Sequence, residues 1–510
     1  MKKQSRFICP GTLSTNQLLT KISENYAVIK TKPVTSELFF HDTFDWRLFN
    51  KGYILYRQAT EYHLYHIGKK RDIETTKWRR KTPAKFWYDF PNGKIRLIMR
   101  SLLGVRALRE LTSCRMRSQE LAIPDSEGAD ALLISIVSSN LPNVSRRKNV
   151  NTLTVDAVKG DKDLFKQFIQ FVTEIGLERE IAAPFVRILQ ASGKEPGSYA
   201  VKKELLLKPS LPSRQAMKLI LTHMVEVMQQ NEEGIKSDID TEFLHDFRIS
   251  VRRTRSALGQ IKKVLPQEVT DRFRKDFALI GQSTNHLRDL DVYLLRKGQY
   301  HDLLPKDLRK GINPFFQHIA SERTKERTRV IRFLNGTRYA EIMRDWKQYL
   351  GNQEEEPESQ NASKPIINLA RKVIRKKYDL ALRQGKAIKA SSPDEALHEL
   401  RLTCKKLRYL LEIFSSLFPR KKINRLISQL KKLQDNLGRY NDLIIQQDRL
   451  KEYLDQVDPQ SARALDIAAA IGGLVAHLHL EQIKVRSEFR ATFVNFSRIG
   501  NVKLCRELFQ

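Results

Sequence analysis

Cysteine is scarce in this chain of 510 residues. The four cysteines, Cys9, Cys114, Cys404 and Cys505, lie far apart, and no two form a Cys-x-x-Cys pair. That usage excludes a zinc knuckle and a disulfide framework, and it suits a reducing cytoplasm. Acidic side chains are also in deficit, with 58 Asp+Glu against 91 Lys+Arg, a net charge of +33. Aromatics make up only 8% of residues. Few of them interleave with the basic runs, Tyr409 beside Arg408 being an exception, which disfavours the stacking platforms of single-strand binding. No helix-turn-helix, zinc finger or aromatic RNA-binding motif is present. No run of about 20 apolar residues occurs, so no transmembrane helix is expected. The opening MKKQSRFICPGTLS lacks the apolar stretch of a signal peptide.

What the chain has in excess is positive charge, spread along its whole length. Residues 1–200 hold 33 Lys+Arg against 20 Asp+Glu, and residues 201–510 hold 58 against 38. Such an excess implies polyanionic partners: nucleic acid, anionic membrane or condensed phosphate. Part of it is patterned. His245, Arg248, Arg252, Arg253 and Arg255 stand at offsets 0, 3, 7, 8 and 10, and His398, Arg401, Lys405, Lys406 and Arg408 repeat those offsets. At about 100° per residue, offsets 0, 3, 7 and 10 fall within an arc of roughly 80° on a helix, a ladder of donors about 15 Å long. Apolar residues sit on the adjoining arc: Leu244, Phe247, Val251 and Leu258, then Leu397, Leu400, Leu407, Leu411 and Phe414. Each helix thus offers one face to a core and a neighbouring face to an anion. A solvated helix face gives the same pattern in a single copy; duplication with the histidine retained favours a ligand role.

The histidines are 153 residues apart. A second motif follows each of them: Asn285, Arg288 and Asp291, then Asn436, Arg439 and Asp442, 151 apart. The two aspartates, one helical turn after an arginine, are expected to orient Arg288 and Arg439 or to link helices. His286, His318, His477 and His479 match no repeat and receive no role.

The expected organisation is α+β, then all-α. Strands are expected at 27–30, 37–44, 52–58, 62–68, 85–90 and 151–158, and helices at 15–23 and 163–177. Residues 1–191 form this first domain, dominated by antiparallel strands, and 192–213, rich in Gly, Pro and Ser, form a linker. A first helical half spans 214–350 and a second 366–505, separated by an acidic connector at 351–365. Each half is expected to hold four main helices in the manner of a four-helix bundle.

The duplicated histidine–arginine helices with their Asn/Arg/Asp partners resemble the conserved-histidine α-helical domain, CHAD, over about 214–500. That resemblance implies two repeated four-helix bundles packed around a basic pore that binds inorganic polyphosphate, with association to polyphosphate granules. It would place His245, Arg248, Arg252, Arg253, Arg255 and Arg288, with His398, Arg401, Lys405, Lys406, Arg408 and Arg439, on the ligand, supported by Asp291 and Asp442. A phosphate beside either histidine would raise its pKa. The N-terminal region resembles a degenerate CYTH domain, an antiparallel triphosphate tunnel, through FFHDTFDWRLFNKGYILYRQ (39–58) and, more loosely, TTKWRRKTP (75–83) and TVDAVKG (154–160). CYTH strands open on Glu-x-Glu-x-Lys, whose glutamates hold a metal; this chain has SRFICPG (5–11) there. The tunnel's cations would be Arg57, Lys77, Arg79, Arg80, Lys81, Arg115 and Arg117. The combination implies polyphosphate binding without catalysis and without a cofactor. The alternatives are a tripolyphosphatase using Mg²⁺ or Mn²⁺ in the tunnel, and weak, non-specific nucleic-acid binding through charge.

Overall fold

In the computed structural model the described residues are 4–10, 13–69, 71–125, 128–141, 149–158, 162–180, 184–199, 205–352 and 359–510. Parts of the expected linker and acidic connector, and Lys159 and Gly160 of TVDAVKG, lie outside them. The chain divides into two compact units, Met1–Ala200 and Val201–Gln510.

The first unit is built on one antiparallel sheet. Its strands are β1 (Gln4–Ile8), β2 (Ile29–Lys30), β3 (Val34–Thr43), β4 (Tyr53–Gln58), β5 (Glu61–His66), β6 (Arg71–Lys77), β7 (Leu108–Pro124), β8 (Asp130–Asn140), β9 (Asn149–Ala157) and β10 (Glu178–Arg179). They run in the order β10-β1-β9-β8-β7-β3-β4-β5-β6, with β2 also on β7. Four helices accompany them: α1 (Thr15–Asn25), α2 (Lys94–Leu103), α3 (Lys162–Glu174) and α4 (Pro184–Ala191). One sheet face is buried under α1 and α3, around Phe7, Leu121, Ile134, Leu153 and Phe168, and under α2, around Leu55, Tyr62 and Met99. Between β3 and β4 the Asp42 carboxylate accepts the backbone N–H groups of Thr43, Leu48 and Phe49, which closes the 39–58 segment into a tight turn.

Strands β1, β6, β7, β8 and β10 and helices α2 and α4 fall where no element was expected. The expected strand at 85–90 is instead a turn of 3₁₀ helix, Trp87–Asp89. Its aromatic content suits a strand, but the Asp89 carboxylate accepts the N–H groups of Lys85 and Phe86 and curls the chain.

The second unit is helical throughout: α5 (Ser213–Lys236), α6 (Thr241–Gln260), α7 (Gln267–Leu295), α8 (Lys297–Leu303), α9 (Asn313–Leu334) and α10 (Thr337–Gly351), then α11 (Ile366–Ala387), α12 (Asp394–Ile413), α13 (Arg420–Leu454), α14 (Ala464–Phe496) and α15 (Ile499–Phe509). The packing succession α5–α6–α7–α9 recurs as α11–α12–α13–α14, and like helices meet across the divide, α5 on α11 and α6 on α12. At the start of α5 and α11, Pro212 and Pro365 face each other in an antiparallel bridge, flanked by bonds from Ser213 N to the Lys364 carbonyl (2.9 Å) and from Ile366 N to the Leu211 carbonyl (2.9 Å). These prolines are 153 residues apart, the offset of the two histidines.

Helix α14 is long and apolar enough to cross a membrane by length and composition. Its uncharged stretch, 467–480, lies between Asp466 and Glu481 and is shorter than the run of about 20 residues that a span needs. One side of it packs along α13, burying Ile467, Leu474, Leu478 and Val485.

Candidate functional site

The site rests on α6 and α12, which carry the two ladders and pack on each other. The Asp240 carboxylate caps α6 by accepting Glu242 N at 2.9 Å, which fixes where the ladder begins. Each helix turns its leucine and phenylalanine stripe inward, and Phe247 and Leu407 are fully buried.

Arg252 is exposed and is the hub of the cationic face. Four other cations are disfavoured in their charged form, first by burial and then with Arg252 among the causes. Arg248 is pushed down to about 10, burial leading and Arg252 next, with Asp289 opposing. Lys405 is pushed down to about 8 by burial, then Arg401 and Arg252, with Asp442 opposing. Arg401 is lowered by burial and by Arg252 against the pull of Asp442 and Tyr409. Arg288 is lowered by burial and by Arg252 against the pull of Glu242 and Asp291. Cations from both halves therefore converge on Arg252.

The deeper members are also scaffold. Arg248 donates to the Gly281 carbonyl (3.1 Å), to Thr284 Oγ1 (3.0 Å) and to Asn285 Oδ1, tying α6 to α7. Arg288 donates to the Thr241 carbonyl (3.1 Å) at the start of α6. Arg255 is exposed and reaches over Gly281; Arg408 bonds Gln434 Oε1 at 3.0 Å and pairs with Glu412 at 3.3 Å. Gly281 and Gln434 are again 153 apart. His398 is exposed, and its Nδ1 sits 2.8 Å from Asn441 Oδ1. His398 and Asn441 share a pocket with Asp394, Glu395 and Tyr440. His245 is half-buried on α6.

Three ladder or motif residues lie elsewhere. Arg253 is buried and pairs with Glu412 at 2.7 Å, a strut between α6 and α12. Lys406 faces Lys377 of α11 rather than Arg252. Arg439 is exposed, pairs with Glu481 of α14 and lies beside Lys432 and Glu488, on the side of α13 away from α12. The 151-residue alignment of the second motif explains this last displacement. Two residues turn a helix by about 200°, so a two-residue slip exchanges its faces. At 153 the counterpart of Arg439 is His286, which likewise pairs outward, with Glu322 at 2.8 Å. The counterpart of Asp442 is Asp289: Asp442 pairs with Arg401 (3.8 Å) and Arg296 (3.5 Å), and Asp289 acts on Arg248. Asp291 instead bonds Arg323 of α9 at 2.7 Å and links helices. Asp289, Lys262, Lys376 and Lys377 were missed from the sequence. A constant offset would have found the first, and the RKVIRKK run of α11 the last two.

In the first unit the expected tunnel cations do not converge. Strand register puts Arg57 opposite Phe39 and Phe39 opposite Ser113, so Arg57, Arg115 and Arg117 share the face that also builds the cores. Arg57 stacks on Phe39 at 4.2 Å, and exposed Arg115 pairs with Glu37 at 3.1 Å. Lys77, Arg79, Arg80 and Lys81 are exposed at and beyond the end of β6, with Arg80 3.6 Å from Asp89. On the opposite face Phe185 of α4 packs against Phe40, Tyr56 and Tyr65. There β1 presents Arg6, bonded to Thr154, and Ile8, where a divalent cation would need carboxylates. These residues do not fit a metal. Among the described residues no group of three or more His, Cys, Asp and Glu is placed to hold one.

An antiparallel-sheet unit followed by a helical unit with paired cationic helices defines the class of chain. Within the helical unit, residues 219–451 match the family model described as the CHAD domain. No curated protein matches the chain. Among solved structures it is similar to the CHAD domain from the plant Ricinus communis, at 24% identity and a TM-score of 0.48 over 57% of this chain and 95% of that one. PptA from Streptomyces chartreusis matches at 17% identity and a TM-score of 0.45, over 56% of this chain and 99% of that one. HpAC1 from Hippeastrum, described by its dominant triphosphatase activity, matches at 14% identity and a TM-score of 0.26, over 39% of this chain and all of that one.

Proposed function

We propose that the helical unit binds inorganic polyphosphate along the groove between α6 and α12, and that it does so without catalysis. The observation that carries this is the packing of α6 against α7 and α12, which gathers Arg248, Arg288, Arg401 and Lys405 around Arg252. Cations held together on three helices match a ligand with a charge on every unit of its chain. Arginine forks grip phosphate oxygens in pairs, and Lys405 adds a point charge. His398 and His245 complete the ends of the ladders. Tyr409 is the aromatic that accompanies the cluster, which gives bases little to stack on and favours phosphate over nucleic acid. The first unit is a non-hydrolytic partner in this proposal, since β1 presents Arg6 and Ile8 where a catalytic metal would need carboxylates. A place in the cytoplasm at polyphosphate granules belongs to the same proposal.

The test is a titration with long-chain polyphosphate in moderate salt. Arg252→Glu and Lys405→Glu each lower affinity by about 10- to 100-fold, the worth of one charged hydrogen bond. An effect of only one of them refutes a groove shared by the two helices. Displacement of polyphosphate by DNA of equal charge reduces the cluster to a general electrostatic surface. Release of phosphate in Mg²⁺ refutes the absence of catalysis.

A further inference from the structure

Lys406 was expected to stand with Lys405, yet consecutive residues on a helix point about 100° apart. Lys405 faces Arg401 and Arg252, whereas Lys406 faces α11. There Lys377 has Lys406 beside it, together with Lys376 and with Lys262, two residues past the end of α6. The Gln260 side chain donates to the Lys406 carbonyl at 3.3 Å, which brings the end of α6 against α12 at this point. Lys262, Lys376 and Lys406 are exposed, and Lys377 is half-buried. The charge on Lys377 is disfavoured by burial first and then by Lys406, Lys376 and Lys262. The charges named as acting on Lys377 are all positive, whereas Asp442 opposes the crowding around Lys405. The four lysines come from three separate elements, so the patch is made by the fold and not by a single basic run.

We propose that Lys262, Lys376, Lys377 and Lys406 form a second phosphate station where α6, α11 and α12 meet, engaged by polyphosphate chains long enough to leave the α6–α12 groove. This rests on the proposed function and adds a length preference to it. A chain held at the groove reaches the lysines at high local concentration, so the second contact strengthens binding without a second encounter. In this proposal tripolyphosphate, with three phosphates, engages the groove and leaves the lysines free for longer chains.

The test compares tripolyphosphate with long-chain polyphosphate on three proteins: the full chain, the Lys377→Gln/Lys406→Gln double variant, and Arg252→Glu. Thermal melting checks that both variants are folded. The double variant is expected to lose about tenfold or more in affinity for the long chain, with tripolyphosphate affinity unchanged within about twofold. Arg252→Glu is expected to weaken both ligands. Equal loss of both ligands in the double variant overturns the second station, because the lysines then belong to the groove. No loss of either overturns it too, and leaves the groove standing. If Arg252→Glu binds both ligands as the unaltered chain does, the proposed function fails and the second station fails with it.

Discussion

Offset eight of the repeated ladder separates two jobs among its cations. On a helix it lies about 80° from the histidine, on the side away from offsets 3, 7 and 10. Arg253 and Lys406 occupy it, and neither reaches Arg252's cluster: one is a strut to Glu412 and the other faces α11. Arg253→Ala should therefore cost stability, about 1–3 kcal/mol for the lost ion pair, with Glu412 keeping Arg408, and leave polyphosphate affinity intact in the folded fraction. Arg252→Ala should do the reverse. Denaturant unfolding beside ligand titration checks this, and a loss of affinity in folded Arg253→Ala would return it to the ligand. Lys405 gives the site a pH dependence. Its charge is disfavoured, with the pKa at about 8 against an ordinary 10.5, so the cost to the empty protein is full below pH 8 and fades as pH rises toward 10.5. A bound phosphate favours the charged form, so affinity is highest below about pH 8 and falls as pH rises beyond it. Calorimetric titration at pH 8 in two buffers of different ionisation heat should show proton uptake, abolished in Lys405→Arg. The ladder face was legible in the sequence because helical period alone decides it. The divided roles at offset eight were not, because they depend on which helix lies alongside.

Between elements, two glycines set how closely helices approach. A Cβ on Gly385 of α11 would fall 1.9 Å from the Phe493 ring of α14, and one on Gly234 of α5 would fall 2.1 Å from Phe243 of α6. Phe243 and Phe493 are both buried, so neither ring has room to retreat. Gly385→Ala should lower stability by about 1–3 kcal/mol through overpacking. Gly298→Ala, with nothing within 4 Å of its added methyl, should be neutral or stabilising by up to about 1 kcal/mol. Thermal melts of the two variants decide it, and equal melting temperatures would mean that α14 yields. Neither glycine carries a sequence signal, since the contact is with a residue far along the chain or across a turn. The repeat was legible because histidine and arginine spacings recur. Its second motif was misread by two residues, since Asn, Arg and Asp recur by coincidence at 151 while the packing keeps to 153. The strands β7 and β8 were missed for another reason. The alternation along β7 changes phase, since Cys114 and Met116 are turned away from the face that carries Arg115, Arg117 and then Leu121, and in β8 Leu132, Leu133 and Ile134 follow one another without a polar residue between them.

At the scale of the molecule, a net charge of +33 acts against compactness, and like helices meeting at α6 and α12 bring part of it together. Composition announces the charge, but only the pairing of segments 153 residues apart says where it gathers, and no local pattern encodes that. Salt then acts on the empty and the loaded protein in opposite ways. It screens repulsion and so stabilises the empty helical unit, while it weakens the hold on a polyanion. The stabilisation conferred by polyphosphate should therefore be largest at low ionic strength and shrink from both sides as salt is added. At a ligand concentration about 100 times the Kd it amounts to about 2.7 kcal/mol, a rise of several degrees in Tm. Melting curves across a salt series, with and without long-chain polyphosphate, measure it directly. The same series on the Arg252→Glu/Lys405→Glu double variant locates the effect. An empty groove relieved of two charges should melt at or above the unaltered chain in low salt, and polyphosphate should then add little. A full polyphosphate shift in that variant would mean that the ligand holds to charge elsewhere on the surface, and that the α6–α12 cluster is crowded for some other purpose.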